Sequence, residues 1–199
     1  MMKKPSHLML LLFIFVFLFV GAYLLYDQLS KEQNPDQLLV RQTQDSAERE
    51  ENDESQSAET REEIKAMDFT VYDGEGNAVR LSDFLGKPVV LNFWASWCGP
   101  CQREMPDFQE KYLSYGEDIH FLMVNATGGR ETLESAKQFI ADKGYTFPVF
   151  YDTETEAAAA YSVYSLPTTY FIDADGYLIA QATGAIDAET LQYGLDLIQ

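Results

Sequence analysis

Val89-Val90-Leu91-Asn92-Phe93-Trp94-Ala95-Ser96-Trp97-Cys98-Gly99-Pro100-Cys101 is the stretch on which the reading of this chain turns. Its first six residues form an almost unbroken apolar run, the pattern of a central strand covered on both faces. Met105, Phe108, Tyr112 and Tyr115 then recur at helical spacing, so Gly99 to Tyr115 is predicted as a helix. The only two cysteines of the chain therefore stand where a buried strand hands over to a helix. The first helical turn carries unpaired N–H groups and the positive end of the helix dipole, which stabilise a thiolate and lower its pKa. Positions i and i+3 share a helix face, so both sulfurs can close a small ring. Pro100 suits that first turn, where a missing N–H is tolerated. Cys98, nearer the open end, is expected to attack, and Cys101 to resolve the mixed disulfide.

Other uses of a Cys-x-x-Cys pair fit less well. A zinc site needs further ligands, and the chain has no second Cys pair and no closely spaced His pair. Gln102, not His, follows Cys101, so this is not a haem-attachment motif. A loop this short adds little stability by closure. A redox pair is the reading that remains, with no cofactor and no metal called for.

Alternation of strand and helix continues outward. Ile119–Val124 reads as a buried strand, Thr132–Lys143 as a helix ended by Gly144, and Phe147–Tyr151 as a short strand whose Pro148 predicts a sheet edge. Thr153–Tyr161 is Ala-rich and helical, and Asp187–Ile198 closes the chain as a helix. Thr168–Asp173 and Tyr177–Thr183 flank Asp173-Ala174-Asp175-Gly176 as a hairpin. A second hairpin, Phe69–Tyr72 with Ala78–Leu81, precedes the motif, followed by a helical turn at Ser82–Gly86. Together these predict a layered α/β sandwich with a mixed sheet.

The chain has 199 residues and a formal net charge of −18, unevenly spread. Residues 1–26 hold Lys3, Lys4 and no acid, and Leu8 to Tyr26 is 19 positions without a charge or Pro. As a helix this run spans about 28 Å, close to the roughly 30 Å of a hydrocarbon core. It is expected to be a retained single-pass signal-anchor rather than a cleaved signal peptide, with the N-terminus cytoplasmic and the remainder exported. Residues 27–66 carry 12 acids, 5 bases and few large aliphatics, and read as an acidic disordered tether. Residues 67–199, with 20 acids and 7 bases, form one domain. So acidic a chain has no general basic surface for nucleic acid.

The Leu91-to-Cys101 stretch resembles the active site of the thioredoxin superfamily, and in detail the membrane-anchored, extracytoplasmic TlpA/ResA-type thiol-disulfide oxidoreductases. The resemblance covers roughly Met67 to Gln199 and implies a thioredoxin-like three-layer sandwich with an added N-terminal β-hairpin. It implies that Leu166-Pro167 is the family's cis-proline loop beside the sulfurs, with Trp97, Gly99, Pro100, Leu166 and Pro167 meeting substrate. Pro106 falls at the family's proline within the active-site helix. Glu104, three residues after Cys101, matches the Cys-x-x-Cys-x-x-Glu arrangement in which a Glu tunes the thiols. Ordinary thioredoxin places an Asp six residues before its first Cys; Asn92 stands there and cannot act as a base. The Gly99-Pro100 dipeptide is thioredoxin's own and points by resemblance to a reductase, whereas ResA-type proteins often have Cys-Glu-Pro-Cys.

The function implied is reduction of disulfides in exported proteins at the bacterial cell membrane, with apocytochrome c as a candidate substrate and a transmembrane thiol carrier as electron donor. Two alternatives use the same thiols. A Cu(I) metallochaperone would need a further ligand, for which the exported domain offers only His120. A thiol peroxidase would carry a Pro-x-x-x-Thr-x-x-Cys pattern, which is absent. Trp94 and Trp97 read as rim, floor or core. Asn125-Ala126-Thr127 reads as a strand-end turn despite matching a glycosylation sequon, Gly128-Gly129 as a plain loop, and His120 as a surface strand residue.

Overall fold

The computed structural model describes residues 64–199 and the backbone of Leu38–Val40. In chain order the strands are β1 (Leu38–Val40), β2 (Thr70–Tyr72), β3 (Ala78–Arg80), β4 (Val89–Trp94), β5 (His120–Asn125), β6 (Val149–Tyr151), β7 (Thr168–Ile172) and β8 (Leu178–Thr183). The helices are α1 (Gly99–Tyr115), α2 (Leu133–Lys143), α3 (Glu156–Ala160) and α4 (Ala188–Ile198), with a 3-10 turn at Leu81–Phe84. The strands form one mixed sheet in the order β1-β8-β7-β4-β5-β6-β2-β3. β4 runs parallel to β5 and antiparallel to β7, and the β2–β3 hairpin extends the sheet past β6.

All six residues of β4 are buried because the sheet is covered on both faces. Strand alternation sends Val90 and Trp94 into a core shared with α1, α2 and α4. Val89, Leu91 and Phe93 face a second core with Phe69 and Val71 of the hairpin region and Ala157 of α3. The last helix seats closely: a Cβ on Gly194 would lie 2.2 Å from the Phe171 ring, so only glycine fits there. Thr132 and Asp187 cap α2 and α4 through their side-chain oxygens.

One expectation is corrected, and two stretches ahead of the expected domain pair with its sheet. Pro148 does not mark an outer edge, because β6 pairs with β5 on one side and meets β2 on the other through Tyr72 and Tyr151. Ahead of Met67, Lys65 bridges Tyr177, and the Leu178 N–H donates to the Ile64 carbonyl at 2.8 Å. Within the stretch expected to be a tether, Leu38–Val40 pairs antiparallel with Ala180–Ala182 of β8. In both cases the edge of β8 offers main-chain partners that a nearby apolar segment can take. Among the described residues no helix is long and apolar enough to cross a membrane, and the predicted span at 8–26 lies outside them.

Candidate active site

The site lies at one end of the sheet. β4 ends at Trp94, the chain crosses Ala95–Trp97, and α1 begins at Gly99 with Cys98 as its N-cap. β7 runs antiparallel to β4 with Thr168 opposite Phe93, so Pro167 arrives at that same end. The Leu166–Pro167 peptide is cis. Gly184 N–H donates to the Pro167 carbonyl at 2.9 Å, while Leu166 makes no main-chain hydrogen bond among the described residues. The backbone left open beside the cis peptide is therefore that of Leu166. Its side chain packs against the core that holds both cysteines.

Cys98 and Cys101 form a disulfide. Cys101 is fully buried and Cys98 is 4% exposed, the order expected for a resolving and an attacking sulfur. The Cys101 N–H donates to Cys98 Sγ at 3.2 Å, one of the helix-terminal donors turned onto sulfur. The two tryptophans separate cleanly: Trp94 is core, whereas Trp97 is 45% exposed beside Cys98. Pro106 lies inside α1.

Glu104 is not a solvated first-turn acid; it is 2% exposed. Asn92 Nδ2 donates to its Oε1 at 2.9 Å, and the Ile186 N–H donates to its Oε2 at 3.0 Å. Burial pushes its pKa from 4.5 up to about 7; the bonds from Ile186 and Asn92 oppose that rise, and nearby Asp107 adds to it. A carboxyl one turn from Cys101 that titrates near neutrality can both give and take a proton at physiological pH. Asn92 is not a base, as expected, but it has a use that sequence reasoning missed. Its amide spans Glu104 and Thr169 Oγ1, the latter at 3.0 Å. Asn92 shares a β4 face with Val90 and Trp94, the one signal that would have turned it toward the active-site helix.

A second buried carboxylate, Glu131, was also missed. It is 2% exposed and accepts from the Ser96 N–H at 2.7 Å and from Ser96 Oγ at 2.9 Å. The Gly128–Glu131 turn is thereby fastened to the residue before Trp97, and Arg130 lies over the Trp97 ring at 4.5 Å. Asn125-Ala126-Thr127 is a turn, with Thr127 Oγ1 donating to Asn125 Oδ1 at 2.8 Å. His120 is not placed to join the thiols: it pairs with Val89, about 16 Å along β4 from the end where Cys98 follows. Among the described residues no histidine stands beside the thiols as a third copper ligand.

The AhpC/TSA family model matches residues 63–181. A thiol-disulfide oxidoreductase ResA from Geobacillus kaustophilus is 40% identical over 135 residues, 67% of this chain and 76% of that protein. ResA of Bacillus subtilis is 33% identical over 67% of this chain and 74% of its own. Among solved structures, a putative thiol:disulfide interchange protein DsbE from Chlorobium tepidum superposes with a TM-score of 0.61 at 30% identity, over 69% of this chain and 97% of that one.

Proposed function

The chain belongs to the AhpC/TSA family as a ResA-like thiol-disulfide oxidoreductase, and from that premise we propose that it is a membrane-anchored, extracytoplasmic reductase of disulfides in exported proteins. The observation that carries the chemistry is Glu104, a buried carboxyl titrating near neutrality one turn from the inner thiol. In the reduced protein the Cys98 thiolate attacks one sulfur of a partner disulfide. A Cys98–partner S–S bond forms, and the partner's other sulfur leaves as a thiolate. Cys101 then gives its proton to Glu104 and attacks Cys98 Sγ. The second partner sulfur leaves, Cys98–Cys101 is oxidised, and the partner has gained two electrons and takes up two protons. In this reading Trp97, Gly99, Pro100, Leu166 and Pro167 meet the partner, and the open backbone at Leu166 receives an extended partner strand.

The direction is supported by Gly99-Pro100, the thioredoxin dipeptide. The location is supported by the uncharged run at Leu8 to Tyr26 behind Lys3 and Lys4. A transmembrane thiol carrier would re-reduce the pair, and apocytochrome c awaiting haem is the candidate substrate. Two measurements test the reading. Cys101→Ser should accumulate a mixed disulfide with a model protein disulfide and Cys98→Ser should not; equal trapping by both reverses or removes the roles. The Cys98–Cys101 potential should fall near the reducing value of thioredoxin, about −270 mV, and one near about −120 mV would make the protein an oxidant instead.

A further inference from the structure

Residues 67–199 hold seven basic side chains against twenty acidic ones. Five of the seven are engaged away from the redox pair. Arg80 pairs with Asp68, Lys87 and Lys137 reach main-chain carbonyls, Lys111 reaches Gln192, and Lys143 lies over Phe139. The other two, Arg103 and Arg130, both stand at the Trp97-to-Cys101 motif. Arg103 folds back along α1 so that its Nη1 would lie 3.9 Å from a Cβ on Gly99. Arg130 lies over Trp97, the residue before Cys98, at 4.5 Å. Both are exposed, and neither side chain makes a hydrogen bond or an ion pair among the described residues. Asp107, one turn beyond Arg103, makes no ion pair with it among the described residues.

Arg130 is held in place from behind. Gly128 and Glu131 exchange main-chain hydrogen bonds at 2.9 Å in each direction, closing a tight turn around it. Glu131 is anchored on Ser96. A guanidinium held over an indole face with no other partner keeps N–H groups free, and their fork matches a carboxylate in shape and charge. Two exposed guanidiniums thus stand beside the redox motif of an otherwise anionic domain, while the neighbouring carboxylates Glu104 and Glu131 are buried.

We propose that Arg103 and Arg130 form a carboxylate-reading rim around Cys98, which favours partner disulfides whose cysteines are flanked by Asp or Glu. The rim rests on the thiol-disulfide exchange argued above and adds a selectivity to it. Its test uses the reduced full chain in neutral detergent and two cystine peptides, identical except for Glu or Gln beside each cysteine. The quantity read is the ratio of their second-order reduction rates in low salt, in wild type and in the Arg103→Gln/Arg130→Gln double variant. Any effect of the arginines on Cys98 itself divides out of that ratio. The ratio should fall about three- to fivefold in the variant, the scale of two exposed ion pairs, and by a similar factor for wild type in about 1 M salt. A ratio unchanged by the substitutions overturns the rim while leaving exchange standing. If neither peptide is reduced, the exchange reading falls and the rim with it.

Discussion

Two buried glutamates stand beside the redox pair, and they do different work. Glu131, on the turn after β5, is met by the Ser96 N–H, by Ser96 Oγ and by Ser135 Oγ at 2.7 to 3.0 Å. Glu104, on α1, is equally buried but receives only the Asn92 amide and the Ile186 N–H. Burial alone therefore does not tell a brace from an acid–base group. What separates them is what each carboxylate is joined to. Glu131 is tied to a loop it must keep in place, and Glu104 stands one turn from a thiol with too few donors to offset its desolvation.

The largest effect expected from breaking this contrast is a pH dependence of stability. Glu104 titrates at 4.5 when unfolded and at about 7 when folded. Below pH 4.5 it is protonated in both states and costs nothing. Between these values the folded state holds the extra proton, so stability falls as pH rises. The loss is complete above pH 7 and amounts to about 3 kcal/mol. Glu104→Gln should lack it, so urea unfolding of the two oxidised proteins from pH 4 to 8 should diverge by that amount, and parallel profiles would falsify the assignment. The pH profile of thiol reactivity should shift in the same variant. Glu131→Ala should cost about 2 kcal/mol at neutral pH, because the Ser96 N–H and hydroxyl lose their acceptor. An unfolding midpoint that does not move would mean the turn is held by other contacts. The smallest effect belongs to Asn92→Ala. Removing one donor from the Glu104 carboxylate should move the reactivity profile of the thiols to higher pH, by an amount equivalent to about 1 kcal/mol or less. A shift to lower pH would show that the amide does not favour the ionised form.

The parts of the molecule legible in the sequence are those set by local pattern. The apolar run Val89–Trp94 is β4 to the residue, and Gly99–Tyr115 is α1. The Cys98–Cys101 pair was legible from its own spacing, and the cis Leu166–Pro167 peptide and attention to Glu104 came from the family resemblance. The contacts that tune them were not. Ile186 lies 82 residues from Glu104, and Ser96 lies 35 from Glu131. Such pairings are fixed by how α4 and the post-β5 turn seat on the sheet, which no periodicity reports. The same holds for Arg130, an ordinary surface cation until the turn lays it over Trp97. The β8 edge was missed for a different reason: it is covered through main-chain groups, while the side chains around both covering pieces read as solvated acid.

That covered edge bears on how the protein can be handled. β8 would otherwise be the last strand of the sheet, with a row of free amides and carbonyls ready to template another chain. Leu38–Val40 masks it opposite Ala180–Ala182, and Ile64–Ala66 masks it from Gly176 to Leu178. A soluble fragment cut at Met67 would keep the whole redox centre and lose both masks. Self-association from the uncovered edge should persist in the Cys98→Ser/Cys101→Ser variant of that fragment, whereas association through the thiols should not.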